Sequence, residues 1–221
     1  MQLTIFNGSP RGTVGNSELL IRWLKEGILQ NPEINIDTLY LNKIGDHERF
    51  INQFKASEGS LIVFPLYTDC MPGIVMAFFE KLQPLRKSLA GLKLGFVVHS
   101  GFPEAIQSRA VEKYLQWLTA ELGADYLGTV IMAGSEGIAK MPPALTAKKR
   151  AIFKELGRRL PLENEFNAEL VKKVAGQEKF NQLGILIVQI LAKMGFLSYS
   201  WNQELKKNNA YQDRFARPYT N

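Results

Sequence analysis

The chain has 221 residues, 46% of them hydrophobic, which predicts one domain with a substantial core and some additional elements. A single cysteine excludes a disulfide framework within the chain and any site built from several thiolates, which suits a reducing cytoplasm. The net charge of +6 is spread along the chain without a basic stripe interleaved with aromatic residues, so nucleic acid is not an expected partner. No charged segment with an apolar signal core precedes the first strand, and we expect a cytoplasmic protein without a secretory signal.

The first elements are a short apolar strand, a glycine-rich loop and a helix. The strand is predicted at residues 2–6, and apolar residues recur at helical spacing over residues 19–28. The glycines of the loop allow a ligand to approach the backbone closely, and Asn16 or Ser17 is expected to be the N-cap. A helix that begins in this way favours a bound phosphate, and the guanidinium of Arg11 can donate further hydrogen bonds to it. The same letters also fit a tight turn with a simple cap.

Strands and helices continue to alternate along the chain. Further strands are predicted at residues 34–41, 60–65, 93–99 and 124–133, and helices at about 46–58, 72–88, 105–122 and 144–160. The third strand is a continuous apolar run, typical of a central parallel strand covered on both faces. The pattern predicts a doubly wound α/β fold with a five-stranded parallel sheet. With the strand order 2-1-3-4-5, the loops after strands 1 and 3 flank the ligand crevice.

Residues 161–221 are predicted to form a helical extension that packs on the domain of residues 1–160 or on a partner subunit. One helix is expected near 163–175 and a second over 178–196. The second contains a strongly apolar stretch that is too short for a membrane span, so we expect a buried helix or a subunit interface, and hence a homodimer. The tail carries aromatic residues that we expect to pack on something: Tyr199, Trp201, Tyr211, Phe215 and Tyr219.

Two later loops also carry residue types that suit a ligand. Residues 65–73 follow the third strand and combine an aromatic ring, a hydroxyl, a carboxylate and backbone amides, which a flat and partly polar heterocycle requires. Residues 99–104 follow the fourth strand, and Gly101 allows close approach of the backbone there. The lone Cys70 is expected to be a small buried hydrophobe rather than a catalytic group. Asp69 fits two roles equally well, tuning a bound ring or stabilising its own loop.

These three loops in this order resemble the flavodoxin-like NAD(P)H-dependent FMN reductase family. The first family motif corresponds to Gly8-Ser9-Pro10-Arg11 with Asn16-Ser17, and the second to Pro65, Tyr67 and Pro72. The resemblance covers residues 1–135. The cluster-binding cysteines of the iron–sulfur branch of the family are absent from the sequence, so we do not assign the chain to that branch.

The resemblance implies FMN as cofactor and assigns site residues to it. Ser9, Arg11, Asn16 and Ser17 would hold the phosphate, Pro65, Leu66, Tyr67, Thr68 and Asp69 would lie against the isoalloxazine, and Ser100, Gly101 and Phe102 would border its far edge. It also implies hydride transfer from NAD(P)H to FMN and on to a small acceptor, either a quinone, a nitro or azo compound, or free flavin. The protein then needs to hold the cofactor with one face open, and neither a catalytic side chain nor a metal is expected.

Two other functions fit parts of the sequence. A flavodoxin-like electron carrier would bind FMN without reacting with a nicotinamide, but such carriers are usually compact and acidic, unlike this basic and extended chain. A nucleotide-binding module would use the first loop for a phosphate without redox chemistry. The colour of the purified protein distinguishes this module from the two flavoproteins.

Overall fold

A computed structural model of the chain describes residues 1–195 and 198–217 and divides it into two compact units, Met1–Glu178 and Lys179–Asn221. The first unit contains a five-stranded parallel sheet of order β2-β1-β3-β4-β5. Its strands are β1 (Gln2–Asn7), β2 (Asn35–Tyr40), β3 (Gly59–Pro65), β4 (Lys93–His99) and β5 (Asp125–Met132). The predicted flavodoxin-like α/β fold and its strand order are confirmed.

The helices of the first unit follow the predicted order with some changed bounds. They are α1 (Asn16–Ile28), α2 (His47–Ala56), α3 (Gly73–Lys81), α4 (Arg109–Leu122), α5 (Pro143–Glu163) and α6 (Ala168–Ala175). The predicted helix over 72–88 is too long, because a 3₁₀ turn that contains Pro84 follows Lys81. The predicted helix over 105–122 begins with four residues of 3₁₀ helix before α4.

The sheet separates two apolar clusters, and β3 contributes to both because its side chains alternate between the faces. Ile62 and Phe64 pack with α2, α3 and α4, whereas Leu61 and Val63 pack with α1 and α5. Every residue of β3 is buried, as its continuous apolar sequence predicts. The strand is therefore held on both faces, and its carboxyl end has a fixed position for the loop that follows.

Helices α1 and α5 touch backbone to backbone on one face of the sheet. A Cβ added to Gly27 would lie 1.8 Å from the Lys154 carbonyl oxygen, and one added to Gly157 would lie 2.1 Å from the Leu24 carbonyl oxygen. Only glycine allows this separation, because any side chain would overlap the opposite helix. The contact sets the position of α1, the helix that follows the first loop.

Residues beyond the predicted boundary at 160 cover the outer edge of the sheet. Helix α5 continues to Glu163, and the Phe166 amide then donates to the carbonyl of Leu127 on β5. Phe166 and Val174 are buried in the cluster below α1 and α5. The edge strand is thus protected from pairing with another chain.

The described residues of the second unit form two helices, α7 (Gln182–Lys193) and α8 (Tyr199–Lys207). No residue of α7 is buried within the chain, which contradicts a buried helix and leaves the alternative expectation of a subunit interface untested. The predicted helix end at Phe196 and the tail residue Tyr219 lie outside the described residues. Among the helices in the described ranges, none is both long and apolar enough to cross a bilayer.

Replacement of Gly157 by alanine tests the contact between α1 and α5. Because backbone atoms face the added methyl group, we expect Gly157→Ala to lower the free energy of unfolding by about 3 kcal/mol despite the higher helix propensity of alanine. Gly45→Ala is the matched control, since a Cβ at Gly45 has no atom within 4 Å. Chemical denaturation measures both effects, and equal stabilities of the two variants would contradict the proposed contact.

Candidate functional site

A crevice lies at the carboxyl ends of β1, β3, β4 and β5, where ligands bind in sheets of this type. It is small, at about 70 Å³, and open to solvent. Four loops border it, which we number in chain order. The first loop (residues 8–15) follows β1, the second (66–72) follows β3, the third (100–104) follows β4 and the fourth (133–137) follows β5. The lining residues are Ser9, Arg11, Asn16, Pro65, Leu66, Tyr67, His99, Ser100, Gly101, Ser135 and Glu136.

The start of α1 presents backbone amides to the first loop. The N-cap is Gly15, not Asn16 or Ser17 as predicted, and no side chain caps the helix. The N–H groups of Asn16, Ser17 and Glu18 have no hydrogen-bond partner among the residues that the structure describes. These groups and the positive end of the helix dipole together form an anion site.

The side chain of Asn7 holds the first loop in shape. Its amide nitrogen donates to the Gly12 carbonyl at 3.0 Å and to the Glu18 carboxylate at 3.1 Å, while its oxygen accepts from the Ser9 amide at 3.0 Å. Asn7 is fully buried at the end of β1. Gly12 has a φ of +59°, in the left-handed region that glycine adopts most easily. Our sequence analysis did not assign Asn7 a role, although an asparagine that ends a strand before a glycine is a common loop-forming signal.

Asn16 and Ser17 use their side chains for contacts within the protein. The Asn16 amide donates to the Ser135 carbonyl at 2.7 Å, and its oxygen accepts from the Ala139 amide at 3.2 Å. Ser17 is buried, and its hydroxyl lies 2.7 Å from Nε2 of His99. Both residues therefore fix the start of α1 against the neighbouring loops, and what they offer a ligand is their backbone N–H groups.

His99 connects three elements beneath the crevice. Its Nδ1 lies 3.0 Å from the Ser135 hydroxyl, which donates to the Ser100 carbonyl at 2.9 Å. Because that hydroxyl proton is already used, Nδ1 carries the hydrogen and donates to Ser135, and Nε2 accepts from Ser17. Burial lowers the pKa of His99 to about 4, so the ring is neutral near pH 7.

The second loop brings Pro65, Leu66 and Tyr67 to the crevice, but not Thr68 or Asp69. Tyr67 and Cys70 exchange two backbone hydrogen bonds of 2.8 and 3.0 Å, so that Thr68 and Asp69 form the exposed tip of a tight turn. Both tip residues have positive φ, +49° and +60°, which is uncommon for residues other than glycine and strained for threonine.

Beyond the turn, Asp69 and Cys70 line a different cavity of about 410 Å³ between α3 and α4. The Cys70 side chain is exposed, so the expectation of a small buried hydrophobe is wrong. The reason is the tight turn, which carries this residue out to the surface after β3 has ended.

The third and fourth loops are joined by backbone hydrogen bonds. The Ser135 amide donates to Ser100, and the Gly134 amide donates to Phe102, each at 2.7 Å. Ser100 and Gly101 line the crevice, whereas Phe102 is exposed and lies outside its lining. The Ser100 hydroxyl is buried and has no hydrogen-bond partner within the described ranges, which leaves a polar group available for a ligand.

The fourth loop contributes two crevice residues that the sequence analysis did not identify. Ser135 belongs to the His99 network, and the Glu136 carboxylate would lie 3.6 Å from a Cβ added to Gly101. The sequence could have indicated them, because residues 133–137 follow the predicted fifth strand. The carboxyl end of that strand lies at the same edge of the parallel sheet as the other loops.

A comparison with family models matches residues 1–137 to the model described as NADPH-dependent FMN reductase. No curated protein matches the chain significantly.

Solved structures show the same fold at low sequence identity. An FMN-dependent NADH-azoreductase from Bacillus anthracis, in complex with FMN, has a TM-score of 0.58 and 17% identity over 72% of this chain and 98% of its own. An NAD(P)H:quinone oxidoreductase from Methanothermobacter marburgensis has a TM-score of 0.58 and 10% identity over 72% and 96%. An NADPH-quinone reductase from P. pentosaceus has a TM-score of 0.54 and 14% identity over 70% and 96%.

The buried His99 predicts a loss of stability in mild acid. Unfolded histidine binds a proton near pH 6.5, whereas folded His99 binds one only near pH 4. Between these values the unfolded state holds more protons, so the free energy of unfolding falls as the pH falls, by roughly 3 kcal/mol in total.

The variant His99→Gln keeps a polar side chain but does not titrate. We expect its unfolding free energy to depend less on pH than that of the wild type over this range, as measured by chemical denaturation at each pH. Parallel pH profiles for the two proteins would show that His99 does not contribute in this way.

Proposed function

The chain belongs to the NADPH-dependent FMN reductase family, and from that premise we propose that it transfers hydride from NAD(P)H, through FMN in the crevice, to a small flat acceptor. It is an FMN-dependent NAD(P)H oxidoreductase. Quinones, nitro or azo compounds and free flavin are the acceptor classes that we propose.

The uncapped start of α1 is the observation that carries the position of the cofactor. Backbone N–H groups without partners in the described part of the chain and a helix dipole fit a phosphate dianion, and Arg11 lines the same crevice. We assign the FMN phosphate to this anion site. Asn16 and Ser17 then act through their N–H groups, and their side chains hold the helix start in place.

The second and third loops fit the ring system. Pro65 to Tyr67 provide a largely apolar surface, and Ser100 and Gly101 line the same crevice, Ser100 with a hydroxyl that has no partner among the described residues. Because the crevice is only about 70 Å³, most of the isoalloxazine would lie along these loops rather than in an enclosed cavity. Such a position leaves one face of the ring accessible to a nicotinamide.

The protein residues around this position bind and orient rather than exchange protons. When bound, FMN supplies the acceptance and delivery of hydride. His99 is neutral, buried and occupied by two hydroxyl groups, so it keeps α1 and the third and fourth loops at fixed separation. Tyr67 and Phe102 are both exposed near the rim and offer aromatic surface to a flat acceptor.

Two observations support an aromatic or quinoid acceptor. The solved structures of similar fold include proteins named quinone reductase and azoreductase, whose acceptors are flat conjugated molecules. The exposed rings of Tyr67 and Phe102 provide the apolar surface on which such a molecule stacks.

We also propose a homodimer that forms through α3 and α4 rather than α7. These helices expose Met76, Tyr114 and Trp117 beside the 410 Å³ apolar cavity. Clustered exposed aromatic and methionine side chains are typical of protein interfaces. A mass in solution of twice 24.9 kDa is the expected result.

Anaerobic reduction tests the proposed activity. We expect the protein loaded with FMN to lose its absorption near 450 nm when NADPH or NADH is added, and to regain it when a quinone is then supplied. A protein that retains FMN but stays yellow with both nicotinamides would be an electron carrier instead. A protein that binds no FMN would exclude both functions.

A further inference from the structure

The second unit carries an exposed apolar stripe on α7. Its residues recur at positions i, i+3, i+4, i+7 and i+11, so they share one helix face. They are Leu183, Leu186, Ile187 and Ile190 of α7 and its C-cap residue Met194, and each is about half to two thirds exposed. Isolated apolar residues on a surface are normal, but a continuous stripe of five on one helix indicates a binding surface.

The rest of α7 suits a helix that lies in an interface plane. Gln182, Gln189 and Lys193 lie together in a narrow polar strip beside this stripe, and the exposed Ile185 lies on the other side of the strip. Its 12 residues span about 18 Å at 1.5 Å per residue, well short of a bilayer core. A short, exposed and largely apolar helix with a narrow polar strip is long enough to lie along a membrane surface but not to cross the bilayer.

Aromatic and basic side chains follow α7 in the chain. Tyr199 and Trp201 on α8 are each about two thirds exposed. Beyond α8, the Arg214 guanidinium lies 3.9 Å from the Tyr211 ring centre and 4.7 Å from the Phe215 ring centre. Tyrosine and tryptophan are enriched at the level of lipid headgroups. Lysine and arginine side chains at that level are attracted to the phosphates of anionic lipids.

Charge decides between a lipid surface and a second copy of this unit. Residues 179–221 contain six lysines and arginines but only two acidic residues, a net charge of +4 out of +6 for the whole chain. Two copies that met through this unit would bring like charges together, whereas an anionic surface attracts each copy. Exposed apolar, aromatic and cationic groups in one 43-residue unit therefore fit an anionic lipid surface best.

We propose that residues 179–221 attach the enzyme peripherally to an anionic lipid surface, with the stripe on α7 buried in the headgroup boundary. The aromatic residues of α8 and the following segment lie at the headgroup level, and the cations pair with lipid phosphates. This attachment depends on the second unit alone and does not rest on the proposed reductase activity.

Vesicle co-sedimentation of the full-length protein loaded with FMN tests the attachment. The two probes are phosphatidylcholine vesicles and the same vesicles with about one third phosphatidylglycerol. We expect at least about tenfold tighter binding to the anionic vesicles, and a loss of that preference at high salt, because basic residues contribute through the surface potential.

Paired variants separate the stripe from general surface hydrophobicity. The test variant is Leu186→Gln with Ile190→Gln, which removes apolar surface from α7 without changing the charge. Its matched control is Leu145→Gln with Leu162→Gln, two exposed leucines of α5. We expect the first variant to bind anionic vesicles at least about tenfold more weakly and the control to bind as the wild type does. Far-UV circular dichroism spectra that match the wild type show that both variants are folded, independently of any reductase activity.

Three outcomes would overturn the proposal. The first is wild-type protein that does not sediment with anionic vesicles. The second is equal loss of binding in the test and control variants. The third is wild-type protein that ignores vesicles but whose dimer, measured by light scattering, dissociates in the α7 variant alone, since the stripe would then bind a second copy.

Discussion

The start of α1 is the feature on which the candidate site depends most, because its first backbone N–H groups have no hydrogen-bond partner within the described part of the chain. Water or an anion must satisfy such groups, and an anion gains most from the helix dipole. The surrounding structure keeps this site open. Asn7 shapes the loop, and Gly27 and Gly157 let α1 lie directly against α5. No side chain caps the helix.

The His99 network explains how the start of α1 and the third and fourth loops hold one arrangement. Ser17, His99 and Ser135 come from α1, β4 and the fourth loop, and their hydrogen bonds form a buried chain beneath the crevice. A neutral ring can accept on one nitrogen and donate from the other, which a charged ring cannot do. The network thus fixes the backbone N–H groups of α1 relative to the third and fourth loops at the crevice in which we propose that FMN binds.

Local patterns in the sequence were sufficient to predict the fold and three of the four loops. Apolar periodicity identifies strands and helices because each element buries one face or both, and parallel order follows from their alternation. Contacts distant in sequence were not predictable in this way. Serine is a residue type typical of helix N-caps, yet the hydroxyl of Ser17 forms a hydrogen bond with His99, 82 residues away. For the same reason the sequence left open whether α7 is buried within the chain or at a subunit interface, since an apolar sequence does not specify what covers it.

Whether the amides of α1 hold the FMN phosphate is tested most directly by the dissociation constants of FMN and riboflavin, measured by fluorescence titration. The two ligands share the ring and differ in the phosphate. We expect FMN to bind at least about 100-fold more tightly, because each hydrogen bond to a charged group contributes about 1.5–3 kcal/mol. Equal dissociation constants would contradict a phosphate site at the start of α1.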